Sequence, residues 1–147
     1  MSLFFYSWYM KKCTPAQKRF FVAISLGIFF GFLCSYLASS SSQWVFWWTP
    51  LMWAIVTDRM IIGLAIGMAG AYMLHPIFRF PCPPALRGFI LGAIFSLPLA
   101  IGGMISPTPD MTAWMVFWYT MWAGAVYGLL IDMIATKIGW QGDILLK

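Results

Sequence analysis

The chain has 147 residues, of which 62% are hydrophobic and 9% are charged, and its mean hydropathy is +0.83. Soluble domains carry about 25% charged residues, so this composition excludes an ordinary soluble domain and predicts a single-domain protein with the lipid bilayer as its solvent. The net charge of +5 is typical of the basic cytoplasmic loops of membrane proteins. Without a basic stripe and exposed aromatics, we expect no nucleic-acid partner.

The N-terminal segment, residues 1–19, joins an aromatic run to a basic cluster. The cluster comprises Lys11, Lys12, Lys18 and Arg19. We expect this segment to lie at the cytoplasmic membrane interface, where Trp and Tyr are enriched. The uncharged stretch 20–38 follows, and it is close to the about 20 residues that a spanning helix needs. It is predicted to be the first transmembrane helix.

The second apolar stretch, residues 44–74, carries charge only at Asp58 and Arg59. As one helix it would measure about 46 Å, which is too long to stand upright in a hydrocarbon core of about 30 Å. In one solution, the helix begins after Pro50 and covers about residues 51–74, because proline is tolerated in the first turn. In the other, the chain breaks at the charged pair into two short segments.

Two further helices are predicted, over residues 88–105 and 113–136, so the transmembrane domain covers residues 20–136. The connection 75–87 contains four prolines and is predicted to be stiff and extended. Residues 137–147 form a short tail. The predicted fold is therefore an all-α, four-helix transmembrane bundle.

The distribution of basic residues favours four helices over five segments. With four helices, eight of the nine Lys and Arg residues lie on one side of the membrane and Arg59 lies within it. The five-segment alternative moves the basic residues after Arg59 to the other side. Because basic residues collect on the cytoplasmic side, we expect both termini to be cytoplasmic, in the inner membrane of a bacterium.

Each predicted helix contains one glycine pair with the G-x-x-x-G spacing, which lets another helix approach closely. The pairs are Gly27/Gly31, Gly63/Gly67, Gly88/Gly92 and Gly124/Gly128. An offset of 61 residues superposes the first two pairs on the last two, which suggests two tandem helical hairpins. A rival offset of 71 residues aligns the VFWWT and VFWYT sequences, so the repeat is left open.

The candidate polar site lies within the second helix, because ionisable residues inside a membrane are costly and often functional. Asp58 and Arg59 are about 100° apart around a helix, so we expect each to need its own partner. The offset of 61 residues places Tyr119 and Thr120 of the fourth helix at the same depth, and both can form hydrogen bonds. The two charges are either a structural pair or part of a polar pathway.

The motifs of common catalytic sites are missing. The sequence has no phosphate loop, G-x-S-x-G or H-E-x-x-H motif, and we expect no catalytic residue and no cofactor. With one histidine, His75, and three scattered cysteines, we expect no metal site.

Three functions remain possible. The first is a non-enzymatic subunit or assembly component of a larger membrane complex, which contacts other membrane subunits or copies of itself. The alternative is an oligomeric transporter or channel for a small solute or ion, with its polar site at Asp58 and Arg59. The third is a lipid-modifying enzyme that uses His75. We favour the first because of the missing catalytic motifs and the abundant glycine and aromatic surfaces.

Overall fold

The structure is a computed structural model that describes residues 14–38, 49–74, 79, 81–105, 111–139 and 142. Four α-helices occur in these ranges, and each is long and apolar enough to cross a membrane. They are α1 (Pro15–Ala38), α2 (Pro50–Ala69), α3 (Pro84–Ile105) and α4 (Ala113–Gly139). The described residues contain no strand apart from an isolated bridge between Leu74 and Pro81. The expected all-helical chain with four candidate membrane spans is therefore confirmed.

Helix α2 supports the four-helix interpretation. The side chain of Thr49 caps its N-terminus by accepting a hydrogen bond from the Met52 amide, and Pro50 occupies the first turn, where its missing N–H costs nothing. The helix then continues unbroken through Asp58 and Arg59. The alternative that breaks the chain at this charged pair is wrong, because Asp58 and Arg59 form an ion pair within an unbroken helix.

Three helix boundaries differ markedly from the predicted ones. Helix α1 begins at Pro15 rather than residue 20, and α3 begins at Pro84 rather than residue 88. Both therefore contain an arginine that hydropathy had assigned to a flanking segment. Helix α2 ends at Ala69 rather than residue 74, with Gly70 as its C-cap.

The proline-rich connection also ends earlier than predicted. Pro84 begins a helix, which is compatible with proline at the first helical position, so residues 84–87 are helical rather than extended. At the other end of the chain, α4 continues to Gly139, three residues beyond the predicted end. Residues 1–13, His75 and most of the predicted tail lie outside the described residues.

The helices run up and down in sequence, with α1 packed against α2 and α3 packed against α4. Helix α4 also returns to α1, where the rings of Phe30 and Tyr127 stack with centroids 5.0 Å apart. The core comprises Val22, Ala23, Phe30, Ile62, Ile66, Ile131 and Ala135. Many large apolar side chains lie on the outer surface instead, as expected where lipid replaces water.

Glycines lie at the closest contacts of the first hairpin. A β-carbon added at Gly31 would lie 2.9 Å from the Cα of Val56, and one at Gly63 would lie 3.3 Å from the Cα of Gly27. A β-carbon at Gly67 would lie 3.2 Å from the ring carbon Cδ2 of Phe20 and 3.3 Å from its Cα. Because the neighbours of Gly31 and Gly63 are backbone atoms, α1 and α2 approach too closely for side chains at these two positions.

The second hairpin has a different register. Gly88 faces Gly128, and Gly92 faces both Gly124 and Gly128. An offset of 61 residues from the Gly27–Gly63 contact would have paired Gly88 with Gly124 instead. The registers of the two hairpins therefore differ, and the tandem repeat remains a prediction.

Candidate functional site

Asp58 and Arg59 form a buried polar cluster in the middle of the bundle. The Nη1 of Arg59 donates to the Oδ2 of Asp58 at 2.8 Å and to the Oγ of Ser96 at 2.6 Å. The hydroxyl of Ser96 donates in turn to the same Asp58 oxygen at 3.2 Å. Arg59 is 1% exposed and Asp58 is 8% exposed. This central cluster is a neutral ion pair that one serine of α3 completes.

The other groups around the Arg59 guanidinium are less polar than Asp58 and Ser96. Its Nη2 lies 3.9 Å from the sulfur of Cys34, and its guanidinium carbon lies 5.4 Å from the ring centroid of Tyr127, within the range of a cation–π contact. Two buried polar atoms of this region, the Nε of Arg59 and the Oγ of Ser35, have no hydrogen-bond partner in the described structure. The central cluster is thus paired in charge but incompletely hydrogen-bonded.

The predicted partners of the pair differ from those observed. Asp58 and Arg59 bond directly to each other, because the long arginine side chain bends back across the angle between neighbouring positions. Tyr119 is 60% exposed: it precedes Gly124 by five residues, about 140° around the helix, and so faces away from α3. Thr120 is partly buried, but the pair's third member is Ser96.

A second cluster, which sequence analysis did not predict, lies at the end of the bundle where α1 and α3 begin. Asp132 of α4 binds two arginines from two different helices. Arg87 donates from Nε to Oδ2 at 2.8 Å and from Nη2 to Oδ1 at 2.9 Å, which is the bidentate geometry of a strong charged pair. Arg19 also donates to Oδ1 from its Nη2. We call Arg19, Arg87 and Asp132 the end cluster.

The end cluster connects all four helices. Arg19 also donates to the hydroxyl of Thr136 at 2.7 Å and to the backbone carbonyl of Ile66 in α2 at 3.3 Å. Arg87 donates to the carbonyl of Tyr72, just after α2, at 2.7 Å. Arg19 and Asp132 are fully buried. Because isolated buried charges are very costly, these contacts explain how arginines can lie inside the helix bundle.

The sequence contained one signal for this cluster. Asp132 lies within an apolar helix, and a buried carboxylate requires a counter-charge. Its partners were assigned to the segments flanking the helices, because a hydropathy reading stops at charged residues. Arg19 and Arg87 are 113 and 45 residues away in sequence, so spacing alone could not select them.

Both clusters consist of ion pairs and hydrogen bonds that join side chains from different helices. The described residues include no group of three His, Cys, Asp or Glu side chains able to hold a metal ion. His75, Asp110 and Asp143 lie outside the described residues.

Four helices long and apolar enough to cross a membrane, with an apolar exterior, indicate an integral membrane protein of the helical class. No family model matches the sequence, and neither curated proteins nor solved structures gave a match.

Proposed function

We propose that the chain is a non-enzymatic subunit or assembly component of a larger membrane complex, and that it binds a partner through an aromatic face of α4. Trp114, Trp118 and Trp122 recur every four residues along one side of this helix, and the docking face comprises Trp118 and Trp122. All three indoles are more than half exposed. The depth of Trp122 carries the proposal.

Trp122 is nine residues beyond the start of α4 at Ala113, which corresponds to about 14 Å along the helix axis. Tryptophans that anchor a protein in lipid lie at the two membrane interfaces, and Trp114 fits that role. Trp122 instead lies near the middle of a core about 30 Å thick. Because tryptophan is enriched at protein interfaces and among their strongest contacts, a protein partner explains its exposure better than lipid does.

A shallow groove beside the aromatic face supports protein docking. It has a volume of about 240 Å³ and lies between α3 and α4. Phe89 forms one wall and packs edge-on against Trp122, with ring centroids 5.8 Å apart. Ala93 and Ala125 leave room at its base. A side chain from an apolar transmembrane helix of a foreign subunit fits such a groove.

The glycine pairs have a separate role in this proposal. We assign them to packing within each hairpin, because all eight face a neighbouring helix of the same chain. They are Gly27, Gly31, Gly63, Gly67, Gly88, Gly92, Gly124 and Gly128. The aromatic face then remains as the surface for a partner. The proposed location is a bacterial inner membrane with both termini in the cytoplasm, since this arrangement satisfies the positive-inside rule.

Native mass spectrometry of the chain purified from membranes, with its partners retained, tests the docking proposal. We expect foreign subunits to co-purify with the parent and the Trp122→Leu variant to lose at least about 90% of them, because a central aromatic anchor contributes about 2 kcal/mol or more. Trp114→Leu is the matched control, with the same substitution at an exposed position of the same helix, and should retain them. A closed homo-oligomer without foreign chains, or equal retention by the two variants, contradicts the proposal.

Transport is the second candidate, and one observation favours it. The Nε of Arg59 and the Oγ of Ser35 are buried without hydrogen-bond partners in the described structure, and such groups are rare unless they have a role or bind water. In this case Asp58 and Arg59 would contact a solute that passes between the helices.

Single Asp58→Asn and Arg59→Gln variants separate the structural role from the transport role. A transport site predicts normal expression and oligomeric state but lost activity, because each substitution leaves the other charge unpaired in the pathway. The control is Ser96→Ala, which removes a hydroxyl and leaves both charges. If both charge variants fold, assemble and function like the parent, the transport candidate is rejected.

A further inference from the structure

A cavity of about 430 Å³ opens beside the end cluster, between the end of α2 and the first half of α3. This volume lies within the range of small-molecule sites, about 300–1,000 Å³. Apolar side chains form most of its wall, namely Ala69, Leu74, Ile90, Leu91 and Ile94. Among the described residues of the lining, Arg87 alone is charged. The cavity is therefore apolar along most of its described wall and carries a positive charge at Arg87.

Among the described residues, the end cluster combines two guanidinium groups with one carboxylate. Its three side chains therefore carry a net charge of +1, and they are almost fully buried. Arg87 uses three of the five N–H groups of a guanidinium in its hydrogen bonds to Asp132 and Tyr72. Two N–H groups therefore remain for an anion at the cavity.

The surrounding surface is also basic. Lys18, Arg79 and Lys137 lie at the same end of the bundle, on or near three of its four helices, and Asp132 is the acid that the described residues contribute there. Basic residues near a membrane surface attract anionic lipids. The excess positive charge, in a cavity with apolar walls, is therefore complementary to an anionic amphiphile.

We propose that this cavity binds one anionic phospholipid, with the headgroup phosphate at Arg87 and an acyl chain along Ile90 and Ile94. The phosphate accepts hydrogen bonds from the N–H groups of Arg87 that Asp132 and Tyr72 do not use. The chain covers an apolar wall that a free phosphate would leave exposed. This lipid site lies at the end of the bundle where α3 begins and does not depend on a partner at the aromatic face of α4.

The test measures lipid binding to the full-length protein in detergent by native mass spectrometry, with phosphatidylglycerol and phosphatidylcholine of identical acyl chains. We expect phosphatidylglycerol to bind at least about fivefold more tightly, since one basic residue near an anionic lipid contributes about that factor. Equal affinities overturn the proposal. Inorganic phosphate at the same concentration should leave the protein's thermal midpoint unchanged while phosphatidylglycerol raises it. An equal rise with phosphate alone contradicts a lipid occupant.

Variants locate the site. Arg87→Gln should abolish the preference for phosphatidylglycerol, but it also leaves Asp132 with one arginine and can impair folding. Ile94→Trp avoids this problem, because Ile94 is 53% exposed and lines the cavity outside the end cluster. It should weaken phosphatidylglycerol binding about tenfold by filling the channel. The matched control Ile101→Trp lies on the same helix at 55% exposure, outside the lining. Equal binding by the two tryptophan variants overturns the assignment.

Discussion

Asp132 is the residue on which the charge of the end cluster depends. Its two oxygens accept hydrogen bonds from Arg19, Arg87 and Thr136, and no water reaches it. Removing one member of a buried ion pair is far more costly than the pair itself is stabilising, because the remaining charge stays buried. Asp132 has two such partners.

The Asp132→Asn variant should therefore lose much of its stability although it keeps the size of the side chain. Two buried guanidinium groups would lose the carboxylate that they share, and we expect a loss of about 3–5 kcal/mol. Unfolding in mixed micelles with increasing dodecyl sulfate measures this loss. Thr136→Val is the control, since it removes hydrogen bonds but no charge and should cost about 1 kcal/mol. Equal losses for the two variants would show that the charge is unimportant.

At the scale of the helices, the two helices of each hairpin pack with their backbones in close contact. In the second hairpin, a β-carbon at Gly92 would lie 3.0 Å from the Cα of Gly128, and its other near neighbours are backbone atoms of Gly124. Such atoms cannot move aside as a side chain could. Elsewhere on the same helix, a β-carbon added at Gly102 would have no neighbour within 4 Å among the described residues. One helix thus contains both a crowded and an open glycine.

The same substitution at these two positions should have opposite effects. Gly92→Ala should destabilise the protein by about 1–3 kcal/mol, because the hairpin must open to accommodate the methyl group. Gly102→Ala should stabilise it slightly, by up to about 1 kcal/mol, because alanine is the better helix former. Thermal unfolding in detergent distinguishes the two. If Gly92→Ala is as stable as Gly102→Ala, then α3 and α4 do not lie too close together for a β-carbon at position 92.

The sequence predicted the four helices, since long apolar stretches leave few alternatives in a membrane. It did not predict where α1 and α3 begin, because Arg19 and Arg87 were interpreted as solvent-exposed. Their burial depends on Asp132, and that pairing is a tertiary contact without a local pattern. The partner of Arg59 was missed for a related reason: Ser96 lies on α3, and its bond to Arg59 of α2 is a tertiary contact between the two hairpins.

At the scale of the whole molecule, the charged residues are unevenly distributed between the two ends of the bundle. Lys18, Arg19, Arg87 and Lys137 lie at one end, and the described residues at the other end contribute no Lys or Arg. Burial changes how this orientation can be measured. Cys82 is buried, so a thiol reagent would report its burial rather than the side of the membrane on which it lies.

Two introduced cysteines should report the orientation instead. In a chain whose three native cysteines are replaced by serine, Lys137→Cys and Met111→Cys place exposed thiols at opposite ends of α4. We expect an impermeant maleimide to label Met111→Cys in intact cells and Lys137→Cys only after lysis, because the proposed topology places the basic end in the cytoplasm. Labelling of Lys137→Cys in intact cells would reverse the proposed topology.

The position of Asp132 in the last helix also has a consequence for biosynthesis. As the chain emerges from the ribosome, Arg19 and Arg87 are made before any carboxylate that can neutralise them, since Asp58 is paired with Arg59. Until α4 is inserted, both arginines must stay in contact with water or lipid headgroups. The end cluster is thus completed when the fourth helix enters the membrane. This final insertion step converts three separately anchored helices into a closed bundle.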